Sequence, residues 1–180
     1  MDTSAKTTAL ITSAAEDGNL TAVSRNVLLA ADIGTQIQAG LGVDVDQVQA
    51  SSVTLVSLLI DDSGSIRFGS NAQLVRDGHN LVLDALMGSK QKDGIFIHTR
   101  YLNGQVLYPY VPLDQAKRMD AQNYDPCGGT PLYDETGVIL GTVVAKQQEF
   151  VGNGVPTRGV TVIITDGADA GSRRLTAAKL

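Results

Sequence analysis

From Leu20 the positions Leu20, Val23, Val27, Ala30, Gly34, Ile37 and Leu41 recur at alternating intervals of three and four. That spacing puts them on one stripe and predicts an amphipathic helix packed against whatever follows it. Residues 1–19 before it are small and polar, and Leu41–Ser52, with Gly42, Asp44 and Asp46, reads as a linker. At Val53 the pattern changes to VTLVSLLI, an apolar run without alternation that stops abruptly at Asp61-Asp62-Ser63-Gly64-Ser65. Such a run is what a strand buried on both faces looks like. Residues 70–88 carry Leu74, Leu81, Val82, Ala85 and Leu86 and suit a helix covering one face of that strand. GIFIHTR (94–100) and QVLYPYV (105–111) predict two short strands, the second at a sheet edge because Pro109 removes a ladder donor.

After a polar loop at 112–129, Thr130-Pro131 opens a helix with Leu132, Thr136, Ile139, Leu140, Val143 and Val144 on one side. Pro131 falls in its first turn, where no N–H is required. GVTVIIT (159–165) is a second wholly apolar strand, ending at Asp166-Gly167. The order strand, helix, strand, strand, helix, strand predicts an α/β fold: a Rossmann-like open, mainly parallel sheet flanked by helices. Residues 1–50 form an N-terminal extension with the amphipathic helix, and 51–180 form the domain.

Composition narrows the function. With 14 Lys+Arg against 19 Asp+Glu and 4% aromatic residues, the chain lacks the cationic surface and stacking platforms that nucleic acids require. The single Cys127 excludes an internal disulfide, and with His79 and His98 the only imidazoles, any metal site is oxygen-ligated. No run of 18 apolar residues and no signal-peptide pattern occurs, so a cytoplasmic protein without membrane attachment is the expectation.

Both buried-looking strands end in Asp, at the carboxyl ends where open α/β sheets bind ligands. Asp61 and Asp166 should therefore be neighbours, and a divalent cation is the natural answer to their mutual repulsion. Ser63 and Ser65 lie two and four residues beyond Asp61 on the turn leaving the strand, and Thr130, freed by Gly128-Gly129, brings a third hydroxyl.

Asp61-x-Ser63-x-Ser65, Thr130 and Asp166, with the surrounding GGTPL and TDG, resemble the metal-ion-dependent adhesion site of von Willebrand factor type A domains of the bacterial and intracellular kind. The resemblance runs from Val53 to Gly167. It implies that Ser63 and Ser65 ligate the ion directly, Thr130 directly or through water, and Asp61 and Asp166 mainly through water and the hydroxyls. Mg²⁺ is the implied ion, with Mn²⁺ or Ca²⁺ as alternatives, and its open position would take an Asp or Glu from a protein partner. Family members continue past the Asp166 strand with at least two more strands, whereas 168–180 is thirteen residues here. The resemblance thus implies a sheet incomplete on its C-terminal side: either the chain is a fragment, or residues 1–50 or a homo- or hetero-oligomer cover the edge.

Arg67, Tyr124 and Tyr133, with Asp125, flank this motif as a candidate partner-binding rim. Asp62 takes a solvated or capping role, His98 reads as a satisfied strand histidine, and Cys127 as an ordinary thiol. The leading function is a non-enzymatic, metal-dependent protein-binding module. A structural subunit of a larger assembly and a metal-dependent hydrolase or phosphatase are the alternatives; the hydrolase reading lacks a GxSxG elbow and a histidine in any motif loop.

Overall fold

The computed structural model describes residues 3–48 and 50–180. Met1, Asp2 and Gln49, parts of the predicted extension and linker, lie outside the described residues. The chain forms α1 (Thr3–Glu16), α2 (Ala22–Leu28), α3 (Ala31–Gly40), β1 (Val53–Ile60), α4 (Asn71–Met87), β2 (Ile95–Tyr101), β3 (Val106–Pro112), α5 (Leu132–Gly152) and β4 (Thr157–Ile164). The four strands make one open sheet in the order β3-β2-β1-β4. β1 runs parallel to both β2 and β4, and β2 and β3 are antiparallel.

β1 sits between two parallel neighbours, and its alternate side chains feed two cores. Val56, Leu58 and Ile60 join Leu83 of α4, Ile97 and Tyr101 on one face. Val53 and Leu55 join Phe96, Tyr110 and Phe150 of α5 on the other. Both faces are buried, which is why the sequence shows no alternation there. Each fully buried leucine contributes about 2 kcal/mol of transfer free energy.

α5 lies on the sheet and is covered in turn by the N-terminal helices, with Ile11, Leu28, Ile33, Ile37 and Leu41 packing on Val138 and Ala145. The expected single helix from Leu20 is two helices, broken where Ala30 turns to an extended ψ of 133°. The bend turns Val23 out, leaving it 67% exposed. A further helix, α1, occupies the segment read as small and polar. Its inward stripe is Thr7, Ile11 and Ala14, too small and polar to stand out in a hydropathy pattern.

α4 also departs from expectation, since Leu74 and Leu81 face outward at 62% and 69% exposed. The helix is rotated so that Val75, His79 and Leu83, spaced by four, face the sheet instead. On α5, Leu140 is exposed rather than part of the buried stripe. Among the described residues β4 has β1 as its sole strand neighbour, and residues 168–180 contain no strand. No described helix is long and apolar enough to cross a membrane.

Candidate functional site

The register of β1 and β4 builds the site. Ile60 pairs with Ile164, so both strands end at the same level and their exits leave side by side. The Asp61 amide still bonds the Ile164 carbonyl at 2.8 Å, holding the first carboxylate beside Thr165 and Asp166. Asp61 is buried (1% exposed), and each of its oxygens has a donor: the Ser63 amide at 2.7 Å on Oδ1 and the Thr165 hydroxyl at 2.7 Å on Oδ2.

Beyond Asp61 the chain enters a 3₁₀ turn at Gly64–Arg67. This turn puts the Ser63 and Ser65 hydroxyls 2.9 Å apart, and Ser65 donates to Asp166 Oδ1 at 3.0 Å. Four of the five predicted residues, Asp61, Ser63, Ser65 and Asp166, are thereby linked through one hydrogen-bonded cluster.

Thr130 sits on a loop that the backbone of Gly128 ties to the turn after Asp61. Gly128 bridges Ser63 in parallel fashion, accepting from the Gly64 amide and donating to the Asp62 carbonyl, both at 3.0 Å. Two residues on, the Thr130 carbonyl accepts the Ala170 amide at 2.9 Å. The three loops at the carboxyl end of the sheet are therefore mutually laced.

Two adjacent oxygens of an octahedral Mg²⁺ shell, with bonds of about 2.1 Å, sit about 3.0 Å apart. The Ser63 and Ser65 hydroxyl oxygens, hydrogen-bonded here at 2.9 Å, have that spacing, and the Ser65–Asp166 bond at 3.0 Å is the contact by which Asp166 would orient a ligating hydroxyl. Hard oxygen donors at such separations suit Mg²⁺ or Mn²⁺ and offer nothing to a soft metal. Among the described residues no group of three or more His, Cys, Asp and Glu side chains is placed to hold a metal ion. The donor set here is two carboxylates plus hydroxyls.

Asp62 points away from the cluster and is buried, not solvated; its Oδ1 accepts the Asn103 amide at 3.0 Å, capping the turn after β2. Burial pushes its carboxyl above the usual range against the pull of that amide, and the neighbouring Asp61 charge adds to the rise.

Of the expected rim, Tyr124 is corrected: it is 1% exposed, and its hydroxyl donates to the Asp61 carbonyl, so it braces the loop from beneath. Arg67 is exposed but paired with Asp125 at 3.0 and 3.2 Å. Tyr133 is half-buried and its amide donates to Asp169 Oδ1 at 3.3 Å. Cys127 is an exposed free thiol.

Asp134 was missed by sequence reasoning. It gathers the amides of Arg173, Arg174 and Leu175 at 2.7–3.0 Å, while Ser172 accepts the Asp134 amide. With Asp169 on the Tyr133 amide, this segment satisfies donors left free at the start of α5. Thr165 was also missed. The only available signal was its place beside Asp166.

No family model, curated protein or solved structure matches this chain. The functional reading therefore rests on the geometry of the site.

Proposed function

We propose that this chain is a von Willebrand factor A-like module that holds Mg²⁺ at the β1–β4 exit and through it binds an acidic side chain of a protein partner. The observation that carries the reading is the oxygen cluster Ser63–Ser65–Asp166, with spacings of 2.9 and 3.0 Å, backed by Asp61 fixed through both of its oxygens. Ser63, Ser65 and Thr130 would hold the ion through neutral oxygens, leaving Asp61 and Asp166 to orient hydroxyls and water. An ion so held keeps most of its positive charge and supplies an electrophilic position for a carboxylate.

A non-enzymatic role is part of the proposal. His79 and His98 are both 0% exposed and engaged within the interior, so neither supports a general base at the cluster. The sequence-based expectation of a cytoplasmic setting goes with this reading.

The test is a titration of the full chain with Mg²⁺ and with Mn²⁺ by calorimetry. Capture of a glutamate-rich peptide is then measured in Mg²⁺ and in EDTA. Saturable one-site binding and EDTA-sensitive capture are expected for wild type and should be lost in Ser63→Ala. Peptide or partner capture equal in Mg²⁺ and in EDTA would replace this reading with that of a structural subunit.

A further inference from the structure

A carboxylate in the first turn of a helix ordinarily caps amides of that same turn. Asp134, 7% exposed in the first turn of α5, turns its acceptors to a different segment. Its Oδ2 takes the Arg173 amide at 2.8 Å, and its Oδ1 takes those of Arg174 and Leu175 at 3.0 and 2.7 Å. All three donors lie on the chain that leaves β4 past Asp166, 39 to 41 positions away.

That chain lies against the start of α5 along its length. The Ala170 amide donates to the Thr130 carbonyl at 2.9 Å. Gly171 passes Pro131 so closely that an added Cβ would come within 3.3 Å of the proline nitrogen. Asp169 accepts the Tyr133 amide at 3.3 Å, and the Ser172 hydroxyl accepts the Asp134 amide at 3.0 Å while donating to Asp169. Leu175, 5% exposed, closes the run by lying on Gly137, where an added Cβ would come within 2.1 Å of Leu175 Cδ1.

Thr130 and Asp166 stand on the two segments so joined. Asp166 is placed by the β1–β4 register and by Ser65. Thr130 precedes α5 on a loop and takes its position from Gly128 on one side and Ala170 on the other. Building on the reading of the β1–β4 exit as an Mg²⁺ site, we propose that Asp134 is a positioning residue of that site. By holding residues 173–175 it keeps residues 166–172 against α5, and so sets where Thr130 stands relative to Ser63, Ser65 and Asp166.

The two hard divalent ions report such a role differently. Mg²⁺ demands near-ideal octahedral geometry with bonds of about 2.1 Å, whereas Ca²⁺ accepts longer bonds and irregular shells. Loosening Thr130 therefore penalises Mg²⁺ more than Ca²⁺. A residue that merely stabilised the fold would affect both ions alike.

The test is calorimetric titration of the full chain with Mg²⁺ and, separately, with Ca²⁺. Asp134→Ala should lower Mg²⁺ affinity at least about tenfold and Ca²⁺ affinity no more than about threefold. Ser172→Ala removes the acceptor of the Asp134 amide from a half-buried position and should move the ratio the same way by a smaller factor. It decides if Asp134→Ala fails to fold. Val53→Ala, buried at the opposite end of β1, weakens the fold away from this contact and should leave the ratio at its wild-type value. In EDTA, amide exchange at Ala170, which bonds Thr130 and not Asp134, should speed at least about tenfold in Asp134→Ala, while β1 and β2 keep their wild-type protection. An unchanged ion ratio in Asp134→Ala, an equal change in Val53→Ala, or unaltered exchange at Ala170 would each overturn the proposal while Mg²⁺ binding by wild type stood. A wild type that binds neither ion would instead remove the reading on which it rests, and the role of Asp134 with it.

Discussion

Thr165 donates its hydroxyl to Asp61 Oδ2 at 2.7 Å, from the residue next to Asp166 and across 104 positions of chain. One carboxylate is thus held between the ends of two strands, and its direction is decided by β4 as much as by β1.

Thr165→Val removes that donor with little change of shape. The variant should lose about 1.5–3 kcal/mol of stability in EDTA, the usual loss for a hydrogen bond to a charged group. Mg²⁺ affinity should fall about tenfold or more, because Asp61 no longer has a fixed orientation. Urea unfolding and calorimetric titration measure the two effects. A variant with unchanged Mg²⁺ affinity would show that Thr165 has no part in orienting the site.

Ser63→Ala should behave differently. Its hydroxyl contacts Ser65 on a loop whose backbone is held by Gly128 and by Asp61, so unfolding in EDTA should shift by less than about 1 kcal/mol. The rise in thermal midpoint that Mg²⁺ produces in wild type should vanish. An equal Mg²⁺ shift in wild type and variant would remove Ser63 from the proposed ligand set.

The strands and their Asp termini were legible in the sequence because a strand buried on both faces must be apolar throughout, as VTLVSLLI is. Asp61, Ser63 and Ser65 were legible because they are local to one turn. Tyr124 and Thr165 were not, since their roles depend on contacts across 63 and 104 positions that no local pattern encodes. α1 was hidden for another reason: its buried stripe is Thr7, Ile11 and Ala14, small residues that allow close packing but carry little hydropathy. The outward Leu74 and Leu81 misled the reading of α4 because apolar residues were assumed to face the sheet.

Arg100 and Glu135 form a buried pair at 2.9 Å, joining the end of β2 to the first turn of α5 and, through Gln36 at 3.0 Å, to α3. Burial raises the Glu135 carboxyl despite the facing guanidinium, so the charges persist here only as a pair. Glu135→Gln strands a buried cation and should cost about 3–5 kcal/mol, whereas Arg100→Met with Glu135→Leu should recover most of that loss. Urea unfolding of Glu135→Gln, of Arg100→Met and Glu135→Leu singly, and of the double variant tests the coupling. A double variant as unstable as the sum of its singles would contradict it.

The pH response should bear the mark of His98. Its Nδ1 donates to the Tyr108 carbonyl at 2.8 Å, and its Nε2, close to Gly40 of α3, has no hydrogen-bond partner among the described residues. Burial, with the nearby Arg100 charge acting in the same direction, lowers this imidazole from its ordinary 6.5 to about 3. Between those values the unfolded chain binds a proton that the folded protein refuses. The stability difference is therefore constant above about pH 6.5 and is lost as pH falls, by at most about 1.4 kcal/mol per unit. His79, also lowered by burial, adds to the same slope. His98→Asn keeps a donor for Tyr108 but cannot titrate. It should be about 1–2 kcal/mol less stable than wild type at pH 7, from the smaller side chain, and should lose less stability between pH 7 and pH 5. Urea unfolding at the two pH values, in EDTA, measures both. Parallel losses in wild type and variant would mean that His98 takes up its proton without unfolding the protein.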